Sequence, residues 1–212
     1  MKSNNLQLAI HSLKDYIGKK EAEYIDMVIK CCALGGASSA LLSGWLPGAG
    51  GAIATGIALG FTLTMYSKIC KACGITLKKN ILKAIASVAV SEIAAYLGAV
   101  IVLETALSLF PGIGSVGAAI LSGVLNYAMI YVAGVLFLFT ITKVFKAKRD
   151  KQGIENMTEE ELLAYIRNEA TKENIASMYE EAKKSYNTVK NDPFYKTEAE
   201  NVVPTDTDDN KA

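Results

Sequence analysis

The sequence has little of the chemistry that metal sites and hydrolytic sites need. It contains one histidine, His11, and four cysteines, which are Cys31, Cys32, Cys70 and Cys73. The CxxC spacing of the last two is compatible with a zinc or redox site. The simpler interpretation is that the cysteines serve as small apolar residues at helix ends. A lone histidine implies neither a catalytic triad nor a metal cluster. No GxxxxGK[ST] sequence is present, so we expect no nucleotide site, no cofactor, no metal and no enzyme activity.

Charge is also scarce in the middle of the chain. Residues 31–67 and 105–142 contain no charged side chain. Each run is longer than the roughly 20 residues that a membrane helix needs. The first 16 residues are too polar for a cleavable signal sequence, so we expect the internal apolar segments to direct membrane insertion.

Both uncharged runs are interrupted by proline and glycine. Proline removes a backbone donor and disfavours helix at the preceding residue, and glycine tolerates the turn that follows. The two interruptions lie 64 residues apart, which indicates a duplicated helical hairpin. The predicted fold is all-α, with two apolar hairpins, and thus about four membrane helices, within residues 31–145. The predicted turn residues are Pro47, Gly48, Gly50, Pro111, Gly112 and Gly114.

The flanking segments are polar. Residues 1–30 predict an amphipathic N-terminal helix, and residues 146–190 a cytosolic helical segment. In the latter, Thr158 and Glu161 have capping-box spacing. Residues 191–212 are polar and contain prolines, which is typical of a disordered tail.

The charges are sorted along the chain. Residues 1–153 carry 15 basic and 7 acidic side chains, a net charge of +8, whereas residues 154–212 carry 7 basic and 14 acidic side chains, a net charge of −7. If each hairpin enters a bilayer and returns, every lysine and arginine lies on one side. The positive-inside rule then predicts cytosolic N and C termini. A soluble bundle with buried central helices is the alternative. The arm from Cys31 to Leu46 has 16 residues, about 24 Å, which is shorter than the hydrocarbon core. A tilted hairpin, a re-entrant hairpin and one that also uses residues 24–30 all stay open.

Small residues recur every four positions in the first hairpin. Such spacing lets helix backbones approach closely in a membrane, and it is also compatible with a homo-oligomer. The predicted helix-packing residues are Gly44, Ala52, Gly56 and Gly60.

Four polar residues are predicted to lie within the membrane: Glu92, Glu104, Tyr127 and Tyr131. Ionisable groups there are costly and face protein or water. Folding back at the second turn places Glu92 opposite the two tyrosines. Two interpretations stay open, a structural hydrogen bond between a tyrosine and Glu92, or handling of ions or protons by the glutamates.

The paired turns also support a family resemblance. The stretches LPGAGGAIATGIALGFTLTMYSKICKACGI and LFPGIGSVGAAILSGVLNYAMIYVAGVLF resemble the bacterial domain of unknown function 697. The resemblance covers roughly residues 30–145. It implies a helical module in the bacterial cytoplasmic membrane and a separate GTPase as partner, because that family is often linked to Era-like or dynamin-like GTPases.

These observations predict a non-enzymatic integral membrane module. It acts as an anchor or effector for a cytosolic partner, which binds through residues 158–190. The alternative is a pore-forming or bacteriocin-like protein whose apolar hairpins insert into membranes. Nucleic acid is not an expected partner, because the basic segment 68–83 lacks aromatic residues.

Overall fold

The structure, a computed structural model, describes residues 4–17, 21–43, 50–108, 115–148 and 156–193. Within these ranges the secondary structure is helical throughout, which confirms the predicted all-α class. The helices are α1 (Asn5–Ile17), α2 (Glu21–Ser43), α3 (Gly50–Cys73), α4 (Lys79–Ser108), α5 (Ser115–Lys148), α6 (Glu159–Glu169) and α7 (Lys172–Val189).

The described residues contain two helices, not four, that are long and apolar enough to cross a membrane. These are the Lys79–Gly98 part of α4 and the Gly123–Lys146 part of α5. The prediction of four such helices is therefore supported only in part. Helix α2 carries four charged residues within its first ten, and α3 has two lysines among its last six residues. The apolar portions of α2 and α3 are therefore shorter than those of α4 and α5.

The helix boundaries differ from the sequence-based ones at both ends of the chain. The predicted N-terminal helix comprises α1 and the beginning of α2, which continues without a break across residue 30. The C-terminal segment forms two helices separated by Ala170 and Thr171. The capping box that begins α6 is confirmed. Thr158 Oγ1 accepts a hydrogen bond from the Glu161 amide, and the Glu161 carboxylate accepts one from the Thr158 amide.

Helix α5 lies at the centre of the fold and contacts each of the other described helices. Every residue from 126 to 138 is buried, and 83 % of its apolar window is buried inside the protein. A helix that is apolar on all faces requires such surroundings, either protein or lipid. Here protein covers most of this window.

Helices α2 and α3 pack on α5 through glycine and aromatic contacts. A Cβ atom on Gly36 would lie 2.9 Å from the carbonyl oxygen of Gly123, so a side chain at this position would force α2 and α5 apart. Tyr66 of α3 stacks on Phe137 at a centroid distance of 3.9 Å and donates a hydrogen bond of 2.9 Å to the Ala133 carbonyl. These contacts fix the height of α2 and α3 along the central helix.

Candidate functional site

Helices α1, α6 and α7 form what we call the collar around one end of the bundle. Tyr16 of α1 stacks on Phe145 at 4.9 Å, and Lys143 of α5 forms an ion pair with Glu169 at the end of α6. The collar helices are amphipathic, with apolar side chains turned inward and charged side chains outward. Their buried residues include Leu6, Ile10, Leu13, Leu162, Ile166, Ile175, Met178 and Ala182.

One carboxylate joins the two ends of the chain inside the collar. Glu181 of α7 accepts hydrogen bonds from the Asn5 backbone amide at 2.9 and 3.0 Å and from the Asn5 side chain at 2.9 Å. The Tyr131 hydroxyl of α5 interacts electrostatically with the same carboxylate. A negative charge at the first amide of α1 is favourable, because helix N-termini carry unpaired N–H groups and a partial positive charge. Glu181 thereby connects α1, α5 and α7.

The collar reaches along α5 as far as Tyr127. The Tyr127 hydroxyl lies 2.6 Å from the Ser185 hydroxyl, and its ring meets the Tyr186 ring edge-on at 5.5 Å. Helix α7 ends three residues later, at Val189. Tyr127 and Tyr186 therefore mark the edge of the collar.

Four helix segments extend past this edge, and we call them the projecting ends. The segment of α5 spans 12 residues, about 18 Å at 1.5 Å per residue. The sequence of these segments contains a single charged residue, Glu104. The projecting ends are residues 37–43 of α2, 50–57 of α3, 98–108 of α4 and 115–126 of α5.

The predicted intramembrane residues do not form the predicted cluster. The Tyr127 hydroxyl lies against Ser185 of α7, and Tyr131 interacts with Glu181 of the same helix, whereas Glu92 is exposed on α4. There Glu92 lines a shallow pocket with Arg167 of α6. A carboxylate in this position is open to solvent. The side chain of Glu104 lies outside the described residues.

The predicted small-residue packing also differs. Gly56 and Gly60 are exposed, and a Cβ atom at either would meet no atom within 4 Å, so they do not pack on another described helix. The close approach occurs at Gly36 instead, in the Gly-Gly pair of α2, which the sequence analysis missed. Gly50 begins α3, and the side chain of Ala52 lies outside the described residues. The other predicted turn and packing positions, Gly44, Pro47, Gly48, Pro111, Gly112 and Gly114, also lie outside them.

The four cysteines are buried, and none of them forms a disulfide. Burial raises the pKa of the Cys70 thiol to about 12, and it raises the pKa of Cys31 and Cys32. Thiols in this state are poor nucleophiles and poor metal ligands, because both roles require the thiolate. In the described ranges no group of histidine, cysteine and carboxylate side chains is arranged to hold a metal ion.

Glu181 gives stability a pH dependence. Burial raises the pKa of Glu181, and this effect outweighs the hydrogen bond from Asn5, the interaction with Tyr131 and the nearby Lys184 charge, which lower it. A raised pKa means that the folded state holds the proton more tightly than the unfolded chain. Stability is then fullest below the ordinary carboxyl pKa, and it falls as the pH rises through the folded-state pKa.

We expect the Glu181→Gln variant to lose this part of the pH dependence. Urea unfolding of the detergent-solubilised protein between about pH 4 and about pH 7 measures it. Wild type should lose more stability than the variant over this range. Glu180→Gln, at an exposed position on the same helix, is the matched control and should follow wild type. Parallel profiles for wild type and Glu181→Gln would contradict the assignment.

Comparison of the chain with protein-family models, with curated proteins and with solved structures finds no match. The resemblance to the domain of unknown function 697 therefore stays a prediction.

Proposed function

We propose that this chain is a non-enzymatic membrane module. It inserts its projecting ends into a bilayer and keeps the collar in the cytosol, where the collar serves as an anchor or effector for a protein partner. The observation that carries this proposal is the arrangement of the two surfaces. Helix ends with Glu104 as their single charged residue extend past a collar of amphipathic helices whose outer faces are charged. Apolar helices that leave a polar shell gain free energy by entering lipid.

The same arrangement supports a cytosolic position for both ends of the described chain. Asn5 and Val189 both belong to collar helices, and the exposed lysines Lys68, Lys71, Lys78, Lys79 and Lys83 lie on or between α3 and α4 at the end opposite the projecting ends. This is the side on which the positive-inside rule places basic residues. The proposed location is the bacterial cytoplasmic membrane. A bacterial origin is implied only by the family resemblance.

A partner would bind the outer face of α6 and α7. Their apolar faces pack against α4 and α5, so they are already occupied within the chain. The outer face carries exposed charges of both signs, which favours a polar and salt-sensitive contact. For this partner the family resemblance suggests a GTPase. The exposed charged residues include Glu160, Glu161, Arg167, Lys172, Glu173, Glu180 and Lys184.

Fractionation of cells that express the full chain tests the proposal. Wild type should pellet with membranes, resist alkaline carbonate and dissolve in detergent. Trp45→Arg with Ile113→Arg places one charge in each sequence-predicted turn. Because an arginine in hydrocarbon costs roughly 2.5–3.5 kcal/mol on insertion scales, the membrane-bound to free ratio should fall by at least on the order of 100-fold. Asn187→Arg with Thr188→Arg, at exposed positions of α7, is the control. Release of wild type by carbonate would refute the proposal.

A pore-forming role is the second candidate. One observation favours it: α5, the most apolar helix, is buried inside a shell that includes amphipathic helices, as a protein that stays soluble before insertion requires. This candidate predicts a water-soluble monomer that releases dye from liposomes. The anchor predicts detergent-dependent extraction and no dye release. A dye-release assay with the purified chain distinguishes the two functions.

A further inference from the structure

We propose that the projecting ends enter only one leaflet of the bilayer, with the membrane boundary at the level of Tyr127 and Tyr186. The chain is then a monotopic protein rather than a membrane-spanning one. This inference rests on the proposed membrane association and adds its depth and geometry.

Contacts along α5 establish a common height scale for the helices. Val28 of α2 approaches Gly134, and Gly36 approaches Tyr127 and Gly123, so α2 runs toward the projecting ends as α5 runs away from them. Helix α7 runs in the same direction as α2. Its Glu181 interacts with Tyr131, and the Ser185 hydroxyl, one turn later, lies 2.6 Å from the Tyr127 hydroxyl. Gly36, Tyr127 and Tyr186 therefore share one level.

The lengths beyond this level are too short to cross a bilayer. Helix α5 has 12 residues between Ser115 and Tyr127, about 18 Å, and α2 has 7 residues from Gly36 to Ser43, about 10 Å. The hydrocarbon core is about 30 Å thick, so one leaflet supplies about 15 Å. The described part of α5 would therefore reach about the bilayer centre, and the described part of α2 would remain shallower.

Deeper insertion would submerge charged groups. Asp26 and Lys30 form an exposed ion pair on α2, and Lys30 lies six residues, about 9 Å, on the collar side of Gly36. On α7, Lys183 pairs with Glu180 at the same side of the boundary. Charged side chains at bilayer depth are costly, whereas a partly exposed tyrosine such as Tyr186 is favoured at the interface. The charged collar therefore stops the insertion where the two tyrosines lie.

The single tryptophan of the chain, Trp45, provides a native depth probe for the first hairpin, because it follows the end of α2 at Ser43. A Trp45→Phe/Ile113→Trp variant moves the indole to the second hairpin. The full chain is reconstituted in phosphatidylcholine–phosphatidylglycerol vesicles. Lipids brominated near the headgroup or near the bilayer centre report depth, and iodide added outside or trapped inside reports access from each compartment.

One-leaflet insertion predicts a specific quenching pattern. The indole at position 113 is quenched most by bromines near the bilayer centre, and the native indole by shallower ones. Iodide reaches neither indole from either compartment. A Trp45→Phe/Asn187→Trp control, exposed on α7, is quenched by external iodide and by neither brominated lipid.

The outcomes separate the two proposals. Quenching of position 113 by trapped iodide would show a spanning hairpin, and it would overturn the one-leaflet inference while the membrane role stands. Failure of the wild-type chain to bind the vesicles would overturn the membrane role and this inference with it. If the position 113 variant does not fold, the native indole still decides, because quenching of Trp45 by trapped iodide is incompatible with one-leaflet insertion.

Discussion

The Phe137→Ala variant is expected to lose about 3–5 kcal/mol of unfolding free energy, the usual cost of removing a fully buried aromatic ring. Phe137 is 1 % exposed and stacks on Tyr66, which also donates a hydrogen bond to α5. The substitution leaves a cavity between α3 and the central helix. A domain with a typical stability of about 5–15 kcal/mol would lose a large share of it.

Phe139→Ala is the matched control, since it removes the same ring two residues along α5 from a partly buried position. Its expected cost is only roughly 1 kcal/mol, because less surface leaves solvent in the folded state. Urea unfolding in mild detergent, followed by circular dichroism, measures both variants. Equal losses for the two would contradict the packing of α3 on α5 described above.

The Ala182→Glu variant is expected to detach α7 from the bundle. Ala182 is fully buried in the face of α7 that packs on α5, and the described residues around it include the Glu181–Tyr131 and Ser185–Tyr127 contacts. A carboxylate buried there without a partner costs on the order of 3 kcal/mol or more. Helix α7 has only 18 residues and would be marginally stable alone.

Trypsin and hydrogen exchange report this detachment. Cleavage after Lys183 and Lys184 should become rapid in Ala182→Glu, and the amides of α7 should exchange much faster than those of α3. Asn187→Glu adds the same charge at an exposed position of the same helix and should behave as wild type. Slow cleavage in Ala182→Glu would show that α7 tolerates the charge, and that its packing on α5 is weaker than the structure implies.

The sequence predicted the helical class and the local signals well. The capping box at Thr158 was readable because its two hydrogen bonds join residues three apart. The break before α7 has a local signal too, which was not among the predicted features. The Thr171 side chain accepts a hydrogen bond from the Asn174 amide and so caps a new helix. Signals within one turn of helix are encoded by spacing alone.

Contacts between distant segments were not readable in this way. Tyr127 was assigned to Glu92 by assuming that only the second hairpin surrounded it, whereas α7, 58 residues further along, supplies its partner. The GxxxG of α3 marks a surface that can approach another helix, yet spacing does not say which face turns inward. The Gly35–Gly36 pair carries the close approach because α2 crosses α5 there.

The hydrogen bonds between Asn5 and Glu181 join residues that are 176 positions apart. During synthesis the first helix therefore cannot contact its carboxylate until Glu181 has left the ribosome. Until then, α1 and α7 do not both cover α5, and part of its apolar surface is exposed to solvent or to a nearby membrane. Early capture by a bilayer would protect it during that interval, because pairings at long sequence separation form late.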